Sequence, residues 1–130
     1  MQITKNFHFS EFDCKDGSPV PRELRLNVIE LAFNLQIIRE AIGKPIIINS
    51  AYRTPEYNKS IGGASKSQHL LGKAADIRVT GLTAKELHQV IEGLIKKGEI
   101  KEGGLGLYNT FVHYDTYFDG KKARRWDYSK

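Results

Sequence analysis

The sequence predicts an α+β domain in which helices flank a largely antiparallel sheet, on three observations. Two stretches carry apolar residues at helical spacing, four short runs are β-branched or alternating, and the two kinds of segment lack the regular strand-helix-strand repeat of a parallel sheet. At 130 residues, 40% hydrophobic and 27% charged, the chain has the size and composition of one globular unit with its own core, so residues 1–130 read as a single domain.

Phe7, Phe9 and Phe12 precede the turn-rich stretch Asp16-Gly17-Ser18-Pro19 and predict an N-terminal arm pinned to the core by aromatic rings. From Pro21 the apolar positions Leu24, Val28, Leu31, Leu35, Ile38 and Ile42 recur at intervals of three and four, which predicts an amphipathic helix closed by Gly43 and Pro45. Ile46-Ile47-Ile48 is a short β-branched run that reads as a buried strand delivering Asn49 to Arg53 at its end. Thr54 to Ser67 is polar and carries Gly62-Gly63, so a loop with one helical turn is expected.

Ala74 to Val79 reads as a second strand. Thr83-Ala84-Lys85-Glu86 is a capping box opening a helix with Leu87, Val90, Ile91 and Leu94 on one face; Lys96 and Lys97 suit its dipole and Gly98 stops it. Gly103 to Tyr108, then Asn109-Thr110, then Phe111 to Tyr117 predicts two strands joined by a tight turn. Asp119-Gly120 marks another turn before a basic tail whose Trp126 and Tyr128 are expected to dock on the sheet.

Composition excludes several function classes. The net charge of +5 favours anionic partners, but the basic residues are scattered except at Lys121-Lys122 and Arg124-Arg125, with no recognition helix, and no nucleic-acid partner is expected. No apolar run approaches the roughly 18 residues that span a bilayer. The N-terminal hexapeptide has no apolar signal core, so the chain as written is expected to be made in the cytoplasm and to need another agent for release. The lone Cys14 reads as a buried structural thiol, and His8 and His88 as solvated or hydrogen-bonded residues.

Ser67-Gln68-His69-Leu70-Leu71-Gly72-Lys73-Ala74-Ala75-Asp76, with Phe111-Val112-His113-Tyr114-Asp115 further on, offers two imidazoles and a carboxylate with small residues between them. Three nitrogen and oxygen ligands with a fourth position for water is the donor set of catalytic zinc. Gly72 lets the backbone turn tightly between His69 and Asp76, and strand alternation puts His113 and Asp115 on one face. The competing reading is that Asp76 ties down backbone amides and His113 is a satisfied core imidazole.

The pattern Ser67-x-His69-x-x-Gly72-x-Ala74-x-Asp76, followed by a strand bearing His113, resembles the signature of the zinc D-alanyl-D-alanine carboxypeptidases. Their superfamily also holds phage L-alanyl-D-glutamate endopeptidases and the Hedgehog signalling domain. Ser50 to Asn58, Gly104 to Tyr108 and Arg125-Trp126 extend the likeness from about Ile46 to Trp126, and it is strongest to small phage and bacterial members. The resemblance implies a Hedgehog/DD-peptidase-like fold with His69, Asp76 and His113 holding one zinc ion. It also implies that Arg53 contacts the peptide carbonyl or a substrate carboxylate, and Ser67 and Tyr108 are expected substrate contacts, Ser67 alternatively capping the metal loop. Several relatives place an acidic residue three positions before the last histidine, or a histidine two before it, as general base; here Thr110 and Phe111 stand there. Asp115 is then the nearest carboxylate, either as base or as the group that orients a ligand imidazole.

The expected activity is that of a hydrolase, a zinc metallopeptidase cutting D-amino-acid-containing bonds in peptidoglycan stem peptides by metal-activated water. It would be a D-Ala-D-Ala carboxypeptidase or a cell-wall endopeptidase, a monomer, acting on the wall after release, with phage lysis as one setting. The alternatives are a catalytically inactive zinc-binding module that holds wall peptides or a protein partner, and a purely structural zinc.

Overall fold

A computed structural model describes all of residues 1–130. Three helices, α1 (Arg25–Ile42), α2 (Pro55–Ser60) and α3 (Ala84–Lys96), accompany five strands: β1 (Ile47–Ser50), β2 (Ala74–Arg78), β3 (Gly104–Leu107), β4 (Val112–Asp115) and β5 (Arg124–Asp127). The strands form one sheet in the order β1-β2-β4-β3-β5, antiparallel at every pair except β3 with β5. The expected α+β architecture is therefore the observed one.

The apolar periodicity of α1 is satisfied by burial of Val28, Leu31, Leu35 and Ile38, and Gly43 ends the helix in the left-handed region at φ 73°. In α3 the Thr83 hydroxyl accepts from the Glu86 amide while the Glu86 carboxylate accepts from the Thr83 amide, and Leu87, Ile91, Leu94 and Ile95 are buried. Both helices cover the sheet face made by Ala75, Ile77, Leu105, Val112 and Tyr114. Phe7 and Phe12 pack together at 6.1 Å within the same core, so the N-terminal arm is pinned as expected.

The loop after Arg53 holds the short helical segment expected of it, six residues long, because Pro55 occupies its first turn and the Thr54 hydroxyl accepts from the Tyr57 amide. Two local features differ from the sequence expectation. β4 ends at Asp115, where the Thr116 amide turns to the Lys73 carbonyl. The basic tail is a fifth strand rather than a docked extension, and its register on β3 pairs Gly104 with Arg124 and Gly106 with Trp126. Alternating glycines explain it: a Cβ at Gly106 would overlap the Trp126 indole, and one at Gly104 would overlap the Asp115 carboxylate and the Arg124 guanidinium. β3 is thus bare on one face, and side chains from β4 and β5 meet across it.

Candidate metal centre

The uncovered sheet face carries the site as a row of cross-strand partners. Asp76 on β2 stands opposite His113 on β4, His113 opposite Gly106 on β3, and Gly106 opposite Trp126 on β5. On the other side Ser50 pairs with Asp76, after an irregularity between Ile48 and Ser50 that shifts the end of β1. His69 joins the row from a 3-10 turn, Gln68–Leu71, capped by the Ser67 hydroxyl and ended by Gly72 at φ 69°. Gly72 therefore makes the tight turn expected of it.

His69 Nε2 and His113 Nδ1 both lie 3.2 Å from Asp76 Oδ1, and ligand atoms of the three residues are all within 4.8 Å of one another. All three residues are buried. The remaining ring nitrogens point away and are already engaged: His69 Nδ1 lies 2.6 Å from the Ala51 carbonyl and His113 Nε2 2.7 Å from Asp115 Oδ2. Since a carbonyl and a carboxylate can only accept, those outer nitrogens carry protons, and in neutral imidazoles the inner nitrogens present lone pairs. Two lone pairs and a carboxylate oxygen converging on one point repel each other unless a cation sits between them, so this donor set fits zinc.

The groups of the row shift one another's titration. Burial pushes the Asp76 carboxyl up, but hydrogen bonds and charge from His113 and His69 hold it well below the usual carboxylate range. Burial lowers the His113 value, and hydrogen bonds to Asp115 and Asp76 outweigh it and raise it. Asp115 is raised by burial and lowered more by His113 and Arg124, to about 2.

Each residue singled out from the sequence has a definite place. Arg53 donates to Ser50 Oγ, Asn58 Oδ1 and, at 3.2 Å, Asp76 Oδ2, so three bonds aim the guanidinium beside the ligand carboxylate. The Asn58 amide that fixes it in turn donates to the Ala64 carbonyl, and Gly63 leaves it room. Tyr108 stacks on Phe111 at 4.4 Å, and its hydroxyl accepts from Trp126 Nε1 at 3.0 Å. Asp115 has no exposed surface: Oδ1 accepts from the Gly104 and Tyr117 amides and from Arg124, and Oδ2 from His113 and Arg124. Residues that sequence reasoning left out of the site are Arg124, Trp126, Asn58 and Gln68; the alternating glycines of β3 were the signal for the first two.

The three candidate ligands open onto a cleft of about 490 Å³ whose walls include Arg53, Lys66, Ser67, Tyr108, Arg124 and Trp126. Asp76 is the only carboxylate among its lining residues. Of the paired basic residues in the tail, Arg124 is committed to Asp115 and Arg125 to Glu92 and Glu102, so that pair forms no free basic patch, while Lys121 and Lys122 are exposed. No helix is long and apolar enough to cross a membrane.

Comparison with known proteins gives this geometry a family. The chain is 36% identical over 78 residues to the zinc D-Ala-D-Ala carboxypeptidase of Streptomyces albus G, covering 55% of this chain and 31% of that protein. It is 31% identical over 90 residues to the peptidoglycan L,D-endopeptidase MepK of Escherichia coli K12, covering 64% of this chain and 44% of that protein. The chain thus spans less than half the length of the curated relatives it matches. The family described as Peptidase M15 matches residues 5–115, a span that contains all three candidate ligands, and the chain belongs to that family.

Proposed function

We propose that this chain is a zinc-dependent peptidase that hydrolyses D-amino-acid-containing bonds in peptidoglycan stem peptides, as a D-Ala-D-Ala carboxypeptidase or a cell-wall endopeptidase. The observation that carries the reading is the convergence of His69 Nε2, Asp76 Oδ1 and His113 Nδ1 at the floor of an open cleft, with the outer ring nitrogens already held. The names of the two relatives support the substrate class. Zinc in such a site supplies Lewis-acid polarisation of the scissile carbonyl and acidifies water near neutrality.

The residues around it have separable tasks. Arg53, pinned by Ser50 and Asn58, keeps N–H groups for a substrate carboxylate or for charge developing on the carbonyl oxygen. Tyr108, whose oxygen accepts the Trp126 N–H, keeps its own proton to donate to substrate in the cleft, and Trp126 positions it. The Ser67 hydroxyl caps the His69 turn while retaining a proton for a peptide carbonyl. Asp115 serves as the orienting partner of His113 and not as general base, since both its oxygens are filled and buried. The net charge of +5 would help hold the protein on an anionic wall, and lysis by a phage is a setting that fits.

The test is digestion of purified peptidoglycan. Release of alanine or of cut stem peptides that stops with a chelator, and is lost in a folded His113→Ala variant, supports the enzyme. The absence of any carboxylate but Asp76 in the cleft favours one rival, a zinc-binding module that holds wall peptides without cutting them. That rival predicts zinc-dependent binding with no products, and a purely structural zinc predicts that His113→Ala does not fold.

A further inference from the structure

We propose that α1 is a self-association face, on which a second copy of this chain packs its own α1 antiparallel. Helix α1 is apolar on two sides. The inner side is the core face already described; the outer carries Leu26, Ile29, Phe33 and Ile37, spaced three, four and four residues apart. Leu26 is 79% and Phe33 56% exposed, and Ile37 is exposed as well. An apolar stripe on a helix is ordinarily covered, and here the outer stripe has no cover within the chain.

The flanks of the stripe are occupied, which leaves it as a ridge. On one flank Asn27 donates to the Leu71 carbonyl, Asn34 accepts from the Lys101 amide and Glu30 pairs with the Lys101 ammonium. On the other, Arg25 lies over the Phe9 ring and Gln36 bonds to Thr4 and Asn6. Because α1 covers the sheet face opposite the metal row, packing on its outer side leaves the cleft open.

A second copy is the occupant because the stripe is its own complement. Arg22 lies four residues before Leu26 and Glu40 three after Ile37, and both are exposed. When the helix is turned end for end about an axis at residues 31–32, Leu26 comes opposite Ile37 and Ile29 opposite Phe33, and the 3-10 turn that carries Arg22 just before α1 comes to the end of the partner helix that carries Glu40. A two-fold axis makes each of these contacts twice and closes the assembly. A parallel pairing would instead set Arg22 against Arg22 and Glu40 against Glu40. One helix face falls short of the roughly 800 Å² per partner of a standard interface, so the dimer is weak and concentration-dependent. The monomer expected from sequence is then only its dilute form.

Sedimentation equilibrium over a concentration series at low salt tests this independently of any peptidase activity, on the chain and on Phe33→Asp, Arg22→Glu, Glu40→Arg and the combined reversal. Circular dichroism checks that each variant folds. We expect reversible dimerisation, lost in Phe33→Asp, weakened about tenfold by either single reversal and regained when both are combined. A chain that stays monomeric at every concentration overturns the proposal and leaves the face to another partner. A dimer indifferent to Phe33→Asp, or a combined reversal no better than the single ones, overturns it too.

Discussion

Asp115→Asn separates an orienting carboxylate from a catalytic base. The substitution keeps the shape and one acceptor oxygen. If that oxygen stays with the Gly104 and Tyr117 amides, the new NH₂ group faces His113 Nε2 and Arg124 Nη2, which lie 2.7 and 3.1 Å from the present Oδ2. Breaking a buried ion pair costs about 3–5 kcal/mol, but the Arg124 side chain is 33% exposed and can turn to water, so we expect about 2–3 kcal/mol of lost stability. His113 can accept from the new amide only by moving its proton to Nδ1, the nitrogen that faces Asp76. Zinc affinity should then fall about 10- to 100-fold, the usual effect of losing an outer partner of a ligand histidine. Trp126, the one tryptophan, sits 5.0 Å from the His113 ring, so its fluorescence can follow zinc in competition with a chelator. Urea unfolding of the metal-free protein gives the stability term. A variant that binds zinc as tightly as the parent but no longer cuts peptidoglycan would refute the orienting role and make Asp115 the base.

Three further outcomes are expected from the same contacts. Gly106→Ala must displace the Trp126 indole, at about 1–3 kcal/mol by analogy with overpacked cores, and should lower the melting temperature with a red shift in tryptophan emission. Thr83→Ala removes the hydroxyl that caps α3 and should cost about 1 kcal/mol in urea unfolding, with no change in zinc affinity. Glu92→Gln breaks one arm of the Arg125 fork, worth ~1 kcal/mol at neutral pH for a side chain that is 25% exposed. The Arg125 hydrogen bond lowers the Glu92 value below the ordinary 4.5, so its stabilisation is complete above that value and is lost as pH falls through the lowered one. Melting curves of parent and variant should converge in acid; a gap that persists there would mean the contact acts through packing.

What the sequence could reveal followed the range of the physics involved. Periodicity and caps are local, so α1, α3 and the β3–β4 hairpin were readable from spacing, and the His69-to-Asp76 segment was readable because Gly72 and its neighbours must make one tight turn. The partnership of Asp115 with Arg124 and of His113 with Trp126 was not, because it depends on β5 pairing parallel to β3 through a loop that no turn rule specifies. Yet those contacts left a trace in Gly104 and Gly106, two residues apart in a strand whose other positions are leucine. Glycine weakens a strand unless something needs its empty face, and here the Asp115–Arg124 pair and the indole need it. The same logic separates the two roles that sequence left open for Asp115. A base must reach water in the cleft, whereas the Asp115 carboxylate is sealed beneath a glycine and gripped by Arg124, which supports the proposed role of holding His113 and is what the Asp115→Asn experiment tests.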